Sequence, residues 1–219
     1  RQRAKLKKLI DEYDFSQLLI KGRASRGNLV SKNAIQKIQL KSKGISTIGG
    51  KDIWFDEDIQ RLNEDGRGLH LGQFNTGDHI LVICKDGTYY TTTFDLSNRY
   101  QGNIIKIEKL DTGKTYTALY YDKAVSAFYV KRFAFDVSDN TSVSFISEAK
   151  GSFLVEICDD KHPQFEITFG GKHEHREAEV VDAEEYIAKK GLQAKGKKVS
   201  AMDVKSVKFV EPLHKPEDD

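Results

Sequence analysis

The 219-residue chain is 38% hydrophobic, 10% aromatic and 31% charged, the balance of a soluble globular protein with one large or two small domains. A chain of this size buries about 70% of its unfolded surface, so it needs no metal or disulfide to hold it together. No apolar run approaches the ~18 residues of a membrane span, and the first residues (RQRAKLKKLI) lack the apolar centre of a signal peptide. Only Cys84 and Cys158 are present. Each lies inside an apolar stretch and is expected as a buried, reduced thiol, which excludes a disulfide framework and a zinc ribbon. The formal charge of +2 conceals an asymmetry. Residues 1–67 hold 15 Lys/Arg against 9 Asp/Glu, residues 68–135 hold 8 against 6, and residues 136–219 hold 12 against 18. A basic front and an acidic back suit an anionic partner that is met mainly by the front.

In chain order, residues 3–13 place Leu6, Leu9, Ile10 and Tyr13 at helical spacing. Next come β-rich arms. The run 16–35 reads as a hairpin turning at Arg26-Gly27-Asn28, and 79–96 as a second, turning at Asp86-Gly87, a favoured hairpin dipeptide. The runs 117–137 and 151–171 repeat the plan, with connections at Ala124–Ala127 and Asp159–Pro163. Asp182–Lys190 predicts one short helix, acidic at its start, basic at its end and stopped by Gly191. A weaker hairpin over 191–209 turns near Gly196. Four or five β-rich units at a rough ~40-residue period fit a propeller-like array better than two stacked sheets.

Catalytic patterns are thin. His173-Glu174-His175 has two imidazoles but no third ligand nearby, and Asp56-Glu57-Asp58 has no paired base, so both read as solvated loops. There is no G-x-S-x-G, no phosphate-binding P-loop and no dinucleotide fingerprint. Basic residues carry more information. Lys21, Arg23, Arg26, Lys32, Lys37, Lys41, Lys43, Lys51, Arg61 and Arg67 fall at turns or polar strand positions of the front half. The stretch Lys41–Lys51 mixes lysine with glycine and has no acid, so it can approach a phosphate backbone closely. No helix suited to base-specific reading accompanies them, which favours recognition of backbone and shape.

The runs Tyr13–Asn63 and Gly77–Asp122 resemble the C-terminal domain of bacterial type IIA topoisomerase A subunits, the gyrase A and topoisomerase IV A family. The shared unit is a hydrophobic strand, x-G-x, a strand ending in Thr or Ser, a polar loop with Gly and the next strand. The likeness runs from about residue 15 and weakens after 136. It implies an all-β fold, a β-pinwheel: a propeller-like disc of four to five four-stranded blades that exchange strands, over 15–212. Residues 1–14 would be a short N-terminal linker helix from a missing breakage-reunion domain, and 213–219 an acidic tail.

By the same resemblance the fragment is non-catalytic and binds no cofactor. ATP and Mg2+ would serve the full enzyme through other domains and an ATPase B subunit, and the A subunit would dimerise. The setting would be the bacterial cytoplasm, at the nucleoid. The partner would be duplex DNA, bent around a basic rim formed by Lys21, Arg23, Arg26, Lys32, Lys41, Lys43 and Lys51, with Arg99, Lys106, Lys131 and Arg132 extending the path. The rear third, at −6, is expected to hold DNA poorly, so the wrap would be partial and lie over the early blades. The gyrase box Q-R-R-G-G-K-G is absent; KSKGISTIGGK stands in its place, which points toward decatenation and relaxation and puts supercoiling in doubt. Arg99-Tyr100 echoes the Arg-Tyr pair of the family's DNA-cleaving site, but those residues belong to the absent domain and the echo is coincidental. The alternative reading is a β-propeller that docks a protein partner and does not bind DNA.

Overall fold

The computed structural model describes Tyr13, residues 18–39 and residues 50–214. The chain divides into a first unit, Arg1–Gly49, and a larger one, Gly50–Asp219. Among the described residues every strand belongs to the larger unit. They are β1 Lys51–Asp56, β2 Arg61–Asn63, β3 Leu69–Phe74, β4 His79–Cys84, β5 Thr88–Thr93, β6 Ile104–Lys109 and β7 Tyr116–Asp122. Then follow β8 Ala127–Phe133, β9 Val143–Ser144, β10 Phe153–Cys158, β11 Gln164–Phe169, β12 Glu179–Asp182, β13 Lys197–Lys198 and β14 Val204–Val210. Among the described residues no helix is long and apolar enough to cross a membrane.

These strands form four antiparallel blades: β2-β1-β3, β6-β4-β5-β9, β10-β7-β8-β13 and β12-β11-β14. Each blade begins with a hairpin or short return, and a later strand pairs back onto the opening one. In blade 2, β4 and β5 form the hairpin and β6 pairs with β4. Its fourth strand, β9, arrives only after the hairpin of blade 3 has been made. The same rule gives blade 3 its fourth strand, β13, from beyond the β11–β12 return of blade 4. Blade 1 obeys it in reduced form: Arg99, which follows the blade 2 hairpin, makes a single antiparallel bridge to Arg61, and the Tyr100 N–H donates to the Gln60 carbonyl at 3.2 Å. The fold is an all-β pinwheel of strand-exchanging blades.

Alternation along the strands explains why the blades stack. Side chains of successive residues leave a strand on opposite faces, so a middle strand that is apolar throughout feeds two cores. In β4, Ile80 and Val82 join Ile53, Phe55 and Phe74 of blade 1, whereas Leu81 and Ile83 join Tyr116, Tyr120 and Phe133 of blade 3. In β7, Leu119 turns the other way, to Phe165, Ile167 and Val207 of blade 4. Three face-to-face cores thereby join the four blades. The central one is aromatic: the Phe135 ring lies 4.6 Å from Tyr89, 4.8 Å from Tyr116 and 5.4 Å from Phe145.

The hairpins expected over 79–96 and 117–137 are formed. The first is closed by the Gly87 N–H donating to the Cys84 carbonyl at 3.1 Å, and only Gly87, at φ +80°, is left-handed. The turn is therefore a three-residue loop ending in a left-handed glycine, not the two-residue type in which both central residues have positive φ.

Two other expected hairpins are not hairpins. β10 and β11 lie in different blades, and Asp159–Pro163 carries the chain from blade 3 to blade 4. β13 and β14 are split in the same way. Their strand patterns are local, but their pairing partners are distant in sequence.

Over 16–35 the described residues, from 18 onward, contain no strand. A turn closes there from the Ser25 N–H to the Gly22 carbonyl at 2.9 Å, short of the expected Arg26-Gly27-Asn28. Leu19, Ile20 and Leu29 stay exposed, and a lone two-stranded ribbon without a buried face is at best marginal. The predicted helix 3–13 lies, apart from Tyr13, outside the described residues, as do Lys41, Lys43 and residues 215–219. The second predicted helix exists as α1 Ala183–Tyr186, with the Asp182 carboxylate accepting from the Glu184 and Glu185 N–H groups. It stops at Ile187, which returns to extended backbone to run along blade 3.

Candidate nucleic-acid interface

In each of the first three blades the late-arriving segment forms the outer edge, or rim, opposite β3, β6 and β10. Blade 2's rim is acidic to neutral. The Thr91 N–H donates to Ser138 Oγ at 2.9 Å, and Thr91 Oγ1 accepts from the Ser138 N–H at 2.8 Å. This staple fixes a stretch bearing exposed Asp136 and Asp139. Blade 1's rim offers one exposed cation, Arg99.

Blade 3 differs. Residues 187–198 (IAKKGLQAKGKK) hold Lys189, Lys190, Lys195, Lys197 and Lys198 and no acid. The segment runs antiparallel along the outer edge of β8. Arg132 Nη1 reaches the Ile187 carbonyl at 3.4 Å, and the Lys190 N–H donates to the Arg132 carbonyl at 2.8 Å. Lys197 and Lys198 then pair with Val130 and Tyr129, and the Val199 N–H donates to the Phe128 carbonyl at 3.0 Å.

Side chains of blade 3 bolt the bulge between these points. Lys131 is buried, 3% exposed, and its Nζ donates to the carbonyls of Phe145 and Leu192, each at 2.6 Å. Burial pushes its ammonium down to about 8, and the two carbonyl acceptors favour the charged form. The Tyr120 hydroxyl donates to the Lys195 carbonyl. Buried Asp122 meets Lys195 Nζ at 2.8 Å. Burial alone would raise the Asp122 carboxyl, but hydrogen bonds from Lys195, Ser147 and the Ala124 N–H outweigh it and hold it below the ordinary value. Gly196 makes the close approach possible: at φ +90°, a Cβ there would lie 2.4 Å from the Val130 carbonyl oxygen. Lys197 Nζ sits 3.8 Å from the centre of the Tyr186 ring. Lys189, Lys190 and Lys198 are exposed and form no ion pair among the described residues.

The residues expected from sequence to form the DNA path scatter over several environments. Lys21, Arg23, Arg26 and Lys32 are exposed in the first unit. Lys51 is exposed but pairs with Glu64 at 2.9 Å. Lys106 is tied to Asp159 and lies 3.7 Å from Glu108. Lys114 and the Tyr116 hydroxyl join the same cluster, which links β6 to the connection after β10. Arg132 pairs with Glu184 at 2.7 Å, and Glu184 also binds His162.

Lys131 is the clear correction. It lies between two blades with its charge committed to backbone carbonyls, so it cannot face solvent phosphate. The expected path leaves out the Lys189–Lys198 run, whose charge vanishes in the −6 regional balance. Its local signal, five lysines in ten residues without an acid, is visible in the sequence. Cys84 and Cys158 are free and only half-buried; burial raises both thiols, Cys158 to about 12. No three metal-ligating side chains converge among the described residues.

Strand-exchanging blades stacked through three face-to-face cores define a β-pinwheel module. The family model for the topoisomerase C-terminal domain of Bacteroidota matches residues 61–211, and the chain belongs to that family. A search of curated proteins finds no match. The matched span takes in β2 through β14, so it extends well past residue 136, where the sequence likeness weakens.

Proposed function

We propose that this topoisomerase C-terminal domain binds duplex DNA through its rim and bends it, presenting a segment for passage by a type II enzyme. The observation that carries the reading is the family match from β2 to β14. Recognition would run through phosphates and tolerate sequence, since the rim offers lysines on strand edges and no helix to enter a major groove. Bending a 20–30 base-pair site by 40–90° costs on the order of 1–6 kcal/mol, which several phosphate contacts must offset. The lack of a Q-R-R-G-G-K-G box favours decatenation and relaxation over supercoiling. In this reading ATP and Mg2+ act elsewhere, in other domains and a partner ATPase subunit, and the A subunit dimerises. Titrating a fluorescent duplex across a salt series tests the proposal. A log–log slope of several units is expected; no binding at low salt would sink it and favour a protein-docking role.

A further inference from the structure

We infer that the segment 187–198 on the rim of blade 3 is the principal phosphate-contacting site of this domain, and that DNA contacts centre there and not on the early blades. The inference rests on the DNA-binding reading above and adds a location that the charge balance along the sequence opposes.

Three observations support it. The first is charge that is still available. Lys51, Arg67, Lys106 and Arg132 are paired with Glu64, Asp65, Asp159 and Glu184. Lys189, Lys190 and Lys198 have no such partner among the described residues; exposed Arg99, Lys85, Lys123 and Lys150 share that state, but these three lie together on one strand edge. An ammonium already paired with a carboxylate releases little further counterion on meeting a phosphate, whereas an unpaired one contributes its full share.

The second is preorganisation. Long lysine-bearing loops normally lose backbone freedom on binding. This one is already fixed by Lys131, Tyr120, Arg132 and the β13–β8 pairing. Lys195 and Lys197, though exposed, reach back onto Asp122 and the Tyr186 ring. They act as positioning residues that leave the other three facing out.

The third is geometry. The segment tracks β8 from Arg132 to Phe128, about 14 Å at ~3.4 Å per residue. Phosphates on one DNA strand advance about 3.4 Å along the axis per nucleotide, so this edge, laid along a duplex, faces several. The rim of blade 2, with Asp136 and Asp139, interrupts any even continuation.

The test uses the 219-residue chain and a 20–30 base-pair duplex of mixed sequence, with affinity measured across a salt series. K189A/K190A/K198A is expected to lower the log–log salt slope by about 2.7, from ~0.9 per phosphate contact, and to weaken binding by at least tenfold at moderate salt. A charge-matched control, K85A/K123A/K150A, removes three exposed lysines at other positions and is expected to change the slope by less than one. Equal losses in the two triples would overturn the location in favour of diffuse attraction, and an unchanged slope in the first would overturn it outright. If the wild-type chain does not bind the duplex at all, the DNA-binding reading fails instead. Unchanged circular dichroism and urea midpoints in both triples show that the comparison is between folded proteins.

Discussion

Blades 1 and 3 receive their late-arriving segments in contrasting ways. Blade 1 gets one bridge, Arg99 to Arg61, and one further backbone bond to Gln60. Its segment is anchored mainly by buried Tyr100, whose hydroxyl meets Thr92 Oγ1 at 2.8 Å. Blade 3 gets a paired strand, a buried lysine on two carbonyls, two tyrosine hydroxyls and a glycine pressed against β8. The shared topological slot is a light tether in one blade and a rigid strap in the other. The strap carries three unpaired lysines, Lys189, Lys190 and Lys198, on one edge. Surface charge is set by which cations lack a partner and are held outward, and a regional sum of residues hides both conditions.

The largest way to break this contrast is to loosen the core behind the strap. Phe135 is fully buried among Tyr89, Tyr116, Phe133 and Phe145. Phe135→Ala is expected to cost about 3–5 kcal/mol of unfolding free energy by urea titration. A cost under about 1 kcal/mol would show that blades 2 and 3 are not held by this aromatic cluster.

A sharper probe compares two glycines of similar backbone. Gly196 and Gly102 both have positive φ, at +90° and +104°, but a Cβ on Gly102 meets nothing within 4 Å. Gly102→Ala therefore costs backbone strain alone, about 1 kcal/mol. Gly196→Ala adds a collision with the Val130 carbonyl and is expected to lose more, with faster hydrogen exchange at the Val199 amide as β13 detaches. Equal costs would mean that the strap does not press on β8.

The smallest effect is one of pH. Asp122, held below the ordinary carboxylate value in the folded state, contributes stability that is present above its unfolded pKa, near 3.8. That contribution is lost as pH falls through the folded value. Asp78, Asp159 and Glu184 are shifted in the same direction, so Asp122→Asn makes the acid loss shallower without abolishing it. Urea midpoints measured from pH 6 to pH 3 check this; a variant curve parallel to the wild type would remove Asp122 from the account.

Sequence made the hairpins β4–β5 and β7–β8 legible because turn and partners are adjacent. It did not reveal that β10 and β13 leave their neighbours, since alternation shows that a strand has two faces but not which blade takes it. The burial of Lys131 is hidden from the sequence for a related reason. On a two-sided surface strand a lysine points to solvent, but β8 is sandwiched between cores, and the acceptors at Phe145 and Leu192 come from distant parts of the chain. The lysine run at 189–198 was readable as composition; that it stands on a strapped edge was not.

Lysine footprinting tests the central claim most directly. The folded chain is acetylated under limiting reagent with and without saturating duplex DNA, and protection is read by peptide mass spectrometry. The account predicts strong protection at Lys189, Lys190 and Lys198, with little change at Lys51, Lys85 and Lys123. Protection concentrated at Lys51 and the early blades, with Lys189, Lys190 and Lys198 as reactive as in free protein, would contradict it.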